Sequence, residues 1–312
     1  MRIAVPDLVT NSYFPALAAV ELGYFRAHGL DMELELISPI GRAMEALRDG
    51  DIELVAGPAH GALLAFPEWQ GASLLAALSQ HTYWLLVLRA SLGIQPGDVS
   101  GVKGRRIGAA PGPDAALRCL LADAGIDLER DDVNLGPVPG ASEPGVSFGV
   151  HAARALEEGV IDGFWANAMG AEVSVLSGIG VVVLDPRQGL GPPEAKDYTF
   201  PALVASDRLI ADSPATAEAA ILALVETQEA LRADPSRASE VGSRLFPPDE
   251  AALIEDLIRR DIPFYSPVIS PDSVAGLNRF ARSVGLISGD AASGEIDFEQ
   301  VVASRFSHLW AQ

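Results

Sequence analysis

Leu47-Arg48-Asp49-Gly50-Asp51-Ile52-Glu53 and Leu156-Glu157-Glu158-Gly159-Val160-Ile161-Asp162 carry one pattern: the end of a helix, a glycine, and the start of an apolar strand. A buried-looking strand, a loop and another helix follow each copy. The echo also runs upstream. Arg2-Ile3-Ala4-Val5-Pro6 has its counterpart in Arg106-Ile107-Gly108-Ala109-Ala110-Pro111, and residues 25–36 are matched by residues 121–135. A repeat near half the chain is too long for a solenoid and predicts two related α/β lobes.

Three hundred and twelve residues suffice for two such domains, each with its own core. Hydrophobic residues make up 49%, with no long uncharged apolar run, which favours a globular chain over a membrane-spanning one. The net charge of −20 comes from 42 acidic against 22 basic residues spread along the chain, which opposes nucleic-acid binding. An anionic small ligand stays open, because charge is screened over roughly 8–10 Å and a few local donors can outvote it. Cys119 is the only cysteine, so no intrachain disulfide forms, and its helical setting with Leu117, Leu120 and Leu121 predicts a buried structural thiol. Met1 runs straight into the first strand with no signal-peptide pattern before it. The expectation is a cytoplasmic protein if the chain is complete, and a periplasmic or otherwise extracytoplasmic one if a leader has been removed.

Taken in order, residues 7–12 form a polar loop in which Asn11 or Ser12 is placed to cap a helix that tolerates Pro15 in its first turn. Residues 30–37 alternate as a half-exposed edge strand does. Ser38-Pro39-Ile40-Gly41 opens a helix closed by Gly50, residues 52–56 form a central strand, and Gly57-Pro58-Ala59-His60 turns into the next helix. Strands at 73–79 and 83–89 complete the first lobe, and 96–103 is the first crossing. The second lobe includes a long loop over 139–150, a helix near 152–158 and a strand at 162–165. The domain boundaries predicted are therefore 1–95 with 200–312 for the first lobe, and 96–199 for the second. From Ser213-Pro214, a good cap and first turn, the pattern is helical, with Ala217, Ile221, Leu224, Gln228 and Leu231 on one stripe. Further helices at 236–245, 250–260, 272–284 and 298–310 are expected to pack outside the first lobe in a structural role.

In open α/β sheets ligands collect beyond the carboxyl ends of the strands, where helix N-termini present free N–H groups. That rule selects Asn11, Ser12, Tyr13, Ser38, Gly57 and His60 in the first lobe, and Pro111, Asp114, Trp165 and Asn167 in the second. Several helix N-termini aimed at one cleft would suit an anion without an arginine. Each residue also has a plain reading: Asn11 and Ser12 as caps, Tyr13 in the core, His60 as a structurally bonded imidazole, Trp165 packed rather than stacked on a planar ligand. No histidine pair has metal-ligand spacing, and Gly57-Pro58-Ala59-His60-Gly61 is neither a phosphate loop nor a nucleophile elbow. No metal or cofactor is expected.

Pro15-Ala16-Leu17-Ala18-Ala19-Val20-Glu21-Leu22-Gly23-Tyr24-Phe25 with His28-Gly29-Leu30, the segment 47–65, Val102-Lys103-Gly104-Arg105-Arg106-Ile107-Gly108 and Leu121-Ala122-Asp123-Ala124-Gly125-Ile126 resemble the substrate-binding proteins of sulfonate, nitrate and thiamine-precursor ABC transporters. The resemblance covers roughly the first 205 residues. It implies a two-lobed type II periplasmic-binding-protein-like α/β fold with a C-terminal helical extension. It also implies a protein that closes by a hinge on a small anionic or aromatic molecule, as a monomer or weak dimer with a membrane permease as possible partner. Relatives of that superfamily include enzymes. The alternative is a decarboxylase, lyase or hydrolase of a small organic acid, with His60 as acid or base, Ser12 beside it and Asp7 as a third member. A desulfinase would need a cysteine in the first loop, where this chain has Ser12, and a thiamine-precursor synthase would need a cysteine-rich stretch that one cysteine cannot supply.

Overall fold

Among the described residues, ten strands form two sheets. They are β1 (Arg2–Val5), β2 (Glu33–Leu36), β3 (Leu54–Pro58), β4 (Ala72–Ala77), β5 (Leu85–Arg89), β6 (Arg106–Ala109), β7 (Asn134–Gly136), β8 (Gly163–Ala166), β9 (Gly180–Leu184) and β10 (Pro201–Ser206). The computed structural model describes residues 1–141, 147–288 and 296–311. The chain divides into two units, Met1–His81 with Thr199–Gln312, and Thr82–Tyr198. The first sheet has the order β2-β1-β3-β10-β4 and the second β7-β6-β8-β5-β9. In the first, β1 is parallel to β2 and β3, and β10 runs antiparallel to β3 and β4. In the second, β6 is parallel to β7 and β8, and β5 runs antiparallel to β8 and β9.

The two sheets are thus one pattern written twice, as the sequence repeat predicts, and the likeness reaches individual bonds. Gly50 and Gly159 both take positive φ, 83° and 77°, at the ends of the matching helices Ile40–Asp49 and Phe148–Glu157. The Arg2 amide donates to the Glu53 carboxylate, and the Arg106 amide donates to Asp162 Oδ2 at 2.9 Å. Each sheet takes as its fourth strand the first one the chain lays down after crossing from the other unit.

That exchange corrects the predicted first crossing. β5 is an apolar strand paired on both sides within the second sheet, Leu86 opposite Trp165 and opposite Leu184, so residues 82–95 belong to the second unit. The chain leaves the first unit at Gln80-His81-Thr82, where His81 adopts φ 64°, and not at 96–103.

Other local expectations also change. The helix Phe14–Glu21 is entered from Tyr13 with no side-chain capping bond, so neither Asn11 nor Ser12 caps it, and Ser213 makes no such bond at the helix Pro214–Ala233. The helix expected near 152 starts at Phe148, and residues 142–146 of the loop predicted before it lie outside the described residues. Cys119 is half-buried rather than buried. The helix predicted over 298–310 is a short turn, Phe298–Val301, followed by the 3-10 segment Ser304–Trp310. β2 takes the expected edge position, but it is only Glu33–Leu36 of the 30–37 predicted and its burial does not alternate, Leu36 being exposed. The stripe Ala217, Ile221, Leu224, Gln228 and Leu231 is buried, and Gln228 Nε2 ties it to the end of β4 through the carbonyls of Ala77 (3.0 Å) and Leu78 (2.9 Å).

Candidate functional site

In the first unit the carboxyl ends of β1 and β3 meet the start of antiparallel β10. Pro201 pairs with Pro58, and the Ala59 amide donates to the Phe200 carbonyl at 2.9 Å. This brings His60 beside Thr199, with Nδ1 3.0 Å from Oγ1, while the Phe280 ring meets the imidazole edge to face at 5.3 Å. Burial lowers the His60 pKa to about 4, so the ring is neutral at pH 7. At the end of β1, Asn11 and Ser12 are 1% and 0% exposed. Asn11 Nδ2 donates to Asp261 Oδ2 at 2.5 Å, and the Tyr265 hydroxyl donates to the Asn11 carbonyl at 2.8 Å. Among the described residues Asn11 Oδ1 and Ser12 Oγ have no hydrogen-bond partner. Tyr13 is buried, Ser38 is exposed, and Gly57 sits inside β3 where a Cβ would come within 2.7 Å of Ile40 Cδ1.

The Ser12–His60 pair of the enzyme alternative is not formed, since Ser12 Oγ bonds to no described residue, and no triad with Asp7 assembles through it. A base near pKa 4 is also poorly matched to proton transfer at neutral pH.

In the second unit the carboxyl ends of β6, β8 and β9 meet the start of antiparallel β5. Trp165 is fully buried and donates Nε1–H to the Pro113 carbonyl at 3.1 Å. Its ring lies 6.3 Å from that of Trp84, which lies 4.6 Å from Tyr83. The Arg187 guanidinium stands 5.9 Å from the Tyr83 ring centroid, a cation–π distance. Arg187 is 9% exposed and is the one buried arginine or lysine among the described residues. Asp185 accepts from the Arg187 and Gln188 amides and so fixes this turn at the end of β9. Asn167 and Asp114 do helix work: Asn167 Oδ1 accepts from the Gly170 amide at 3.4 Å, and Asp114 accepts from the Gly112 amide and from Arg118 Nε. Pro111 is exposed beside them.

Sequence reasoning missed Thr199, Asp261, Tyr265 and Phe280 in the first unit, and Tyr83, Trp84 and Arg187 in the second. Arg187 was within reach, because the strand-end rule applied to β9 leads to Asp185-Pro186-Arg187. Among the described residues no group of three or more His, Cys, Asp or Glu side chains is placed to hold a metal, and no helix is long and apolar enough to cross a membrane.

Two sheets of this reciprocal topology, with polar and aromatic side chains buried at the strand ends, define the two-lobed periplasmic-binding-protein fold. The chain belongs to the NMT1/THI5-like family, whose model matches residues 10–238. Among solved structures it is similar to a protein of Bordetella bronchiseptica RB50, with 21% identity over 98% of this chain and 95% of that one and a TM-score of 0.76. It is also similar to the alkanesulfonate-binding protein SsuA from Xanthomonas axonopodis pv. citri bound to MOPS (14% identity, 98% and 96% covered, TM-score 0.68). A third likeness is to the desulfurization enzyme DszB (19%, 98% and 97%, 0.64). No curated protein matches the chain.

Proposed function

We propose that this protein is the solute-binding component of an ABC-transporter-like system and takes a small anionic or aromatic molecule, with hinge bending at the two chain crossings. It would act outside the cytoplasm and deliver its ligand to a membrane permease. Membership of the NMT1/THI5-like family and the likeness to an alkanesulfonate-binding protein support this reading. The observation that carries it is Arg187. Keeping a guanidinium buried is expensive unless it meets opposite charge or π faces, and here it lies over Tyr83 at the end of a strand, in the same unit as Trp84 and Trp165.

Calorimetric titration with a panel of aliphatic and aromatic sulfonates and carboxylates tests the proposal. At least one member should bind, and Arg187→Met should weaken that binding by about 30-fold, the loss of roughly 2 kcal/mol expected for one charge-assisted hydrogen bond. A panel that produces no heat with the folded protein overturns it.

A further inference from the structure

The strand-end residues of the first unit say more about the ligand, given that the binding reading above holds. A carboxylate can only accept, so Asp261 Oδ2, 2.5 Å from the side-chain amide of Asn11, fixes the N–H₂ group toward itself. The amide is then not free to flip. Its oxygen, buried in a residue only 1% exposed, is left as a pure acceptor with no partner among the described residues, and the next side chain, Ser12, adds a fully buried hydroxyl that also has none. Buried polar atoms are almost always hydrogen-bonded, so two adjacent exceptions call for a cause. We infer that this pair reads a hydrogen-bond donor on the ligand, an O–H or N–H group delivered to Asn11 Oδ1, with the Ser12 hydroxyl accepting from or donating to the same substituent.

The ligand class follows. An unsubstituted carboxylate or sulfonate presents only lone pairs, and against a fixed acceptor those repel. The favoured solute is therefore an acid that also carries a hydroxyl, amino or amide group. Asp261 acts here as a positioning residue: it reaches the ligand only through Asn11. The Tyr265 hydroxyl, bonded to the Asn11 carbonyl at 2.8 Å, holds the backbone of the same residue.

The experiment compares paired probes on the full chain by calorimetry: benzoate with 3-hydroxy-, 4-hydroxy- and 4-aminobenzoate, and benzenesulfonate with its 4-hydroxy and 4-amino derivatives. The inference expects at least one donor-bearing probe to bind 10-fold or more tighter than its parent. In Asp261→Asn the neighbouring amide can donate or accept, so Asn11 can turn over, and the preference should shrink to within about 3-fold while the parent's affinity holds. Ser12→Ala should reduce the preference in part. Should Asp261→Asn not fold, Asn11→Leu takes its place and should abolish the preference outright. Equal affinity for parents and derivatives in the natural protein overturns the inference and leaves the binding reading standing, as does an undiminished preference in the folded variants. No binding by any probe overturns both.

Discussion

Matching pairs of helical segments, Ile40–Asp49 with Ala59–Leu64 and Phe148–Glu157 with Ala168–Leu176, are sealed in two ways in the two units. Gly159 follows Gly50 by 109 positions, and Gly170 stands in that relation to Gly61, as Gly149 does to Ile40. In the first unit a Cβ on Gly61 would come within 2.7 Å of the Ile40 side chain, whereas in the second a Cβ on Gly170 would come within 2.4 Å of the Gly149 carbonyl oxygen. One seam is closed by a side chain on a glycine, the other by backbone on backbone. The repeat therefore transmits the path of the chain and leaves open what fills it. The strand ends show the same division. The first unit carries neutral hydrogen-bonding groups, Asn11, Ser12, His60 and Thr199, and the second carries rings and a cation, Tyr83, Trp84, Trp165 and Arg187. His60 itself corresponds to Met169, and Trp165 to Ala56.

The largest test of this asymmetry is Trp165→Ala, which makes β8 resemble β3 at that position. The ring is fully buried and its N–H is committed to Pro113, so the truncation should cost about 3–5 kcal/mol of stability, read from urea unfolding. An unchanged midpoint would show that the second core does not depend on the ring. Next comes His60 against its non-titrating counterpart. Its pKa is about 4 when folded and 6.5 in the reference state, so between those values the unfolded chain binds a proton that the folded chain refuses. Stability should fall as pH drops from about 6.5 toward about 4, by at most about 3 kcal/mol at 1.36 kcal/mol per unit. His60→Met should remove that part of the acid loss. Urea midpoints at pH 7 and pH 4.5 for both proteins decide it, and parallel acid losses would mean that His60 is not the group responsible.

How far the sequence could be read depended on how local the signal was. The edge strand β2, the helix-ending glycines and the doubled sheet were legible because alternation, positive φ and repetition leave marks within a few residues. The first crossing was not, because β4 and β5 are both short apolar strands and nothing in either says which sheet it joins. The capping role read into Asn11 failed for a related reason. Its amide is claimed by Asp261, 250 residues away, at the end of the helix Ile254–Asp261. The helical tail, read as a structural lock, in fact brings Asp261, Tyr265 and Phe280 to the strand-end residues. No local pattern encodes such a contact.

The smallest effects come from the seam itself, and they bear most directly on the opening comparison. Gly61→Ala and Gly170→Ala are the same substitution at matching positions, Gly61 in the 3-10 segment Ala59–Leu64 and Gly170 in the α-helix Ala168–Leu176, where alanine is worth up to about 1 kcal/mol over glycine before any contact is counted. At Gly61 the obstacle is one side chain, Ile40, at the half-buried first position of its helix. Shifting that one half-buried side chain should cost under about 1 kcal/mol. At Gly170 the obstacle is the Gly149 backbone, and separating the helices Phe148–Glu157 and Ala168–Leu176 would also disturb Asn167, whose Oδ1 accepts from the Gly170 amide. A net loss of about 1–3 kcal/mol is expected there. Urea unfolding of the two single variants should show a clear difference in midpoint. Equal losses would mean that the seams are closed alike and that the units diverge only at their strand ends.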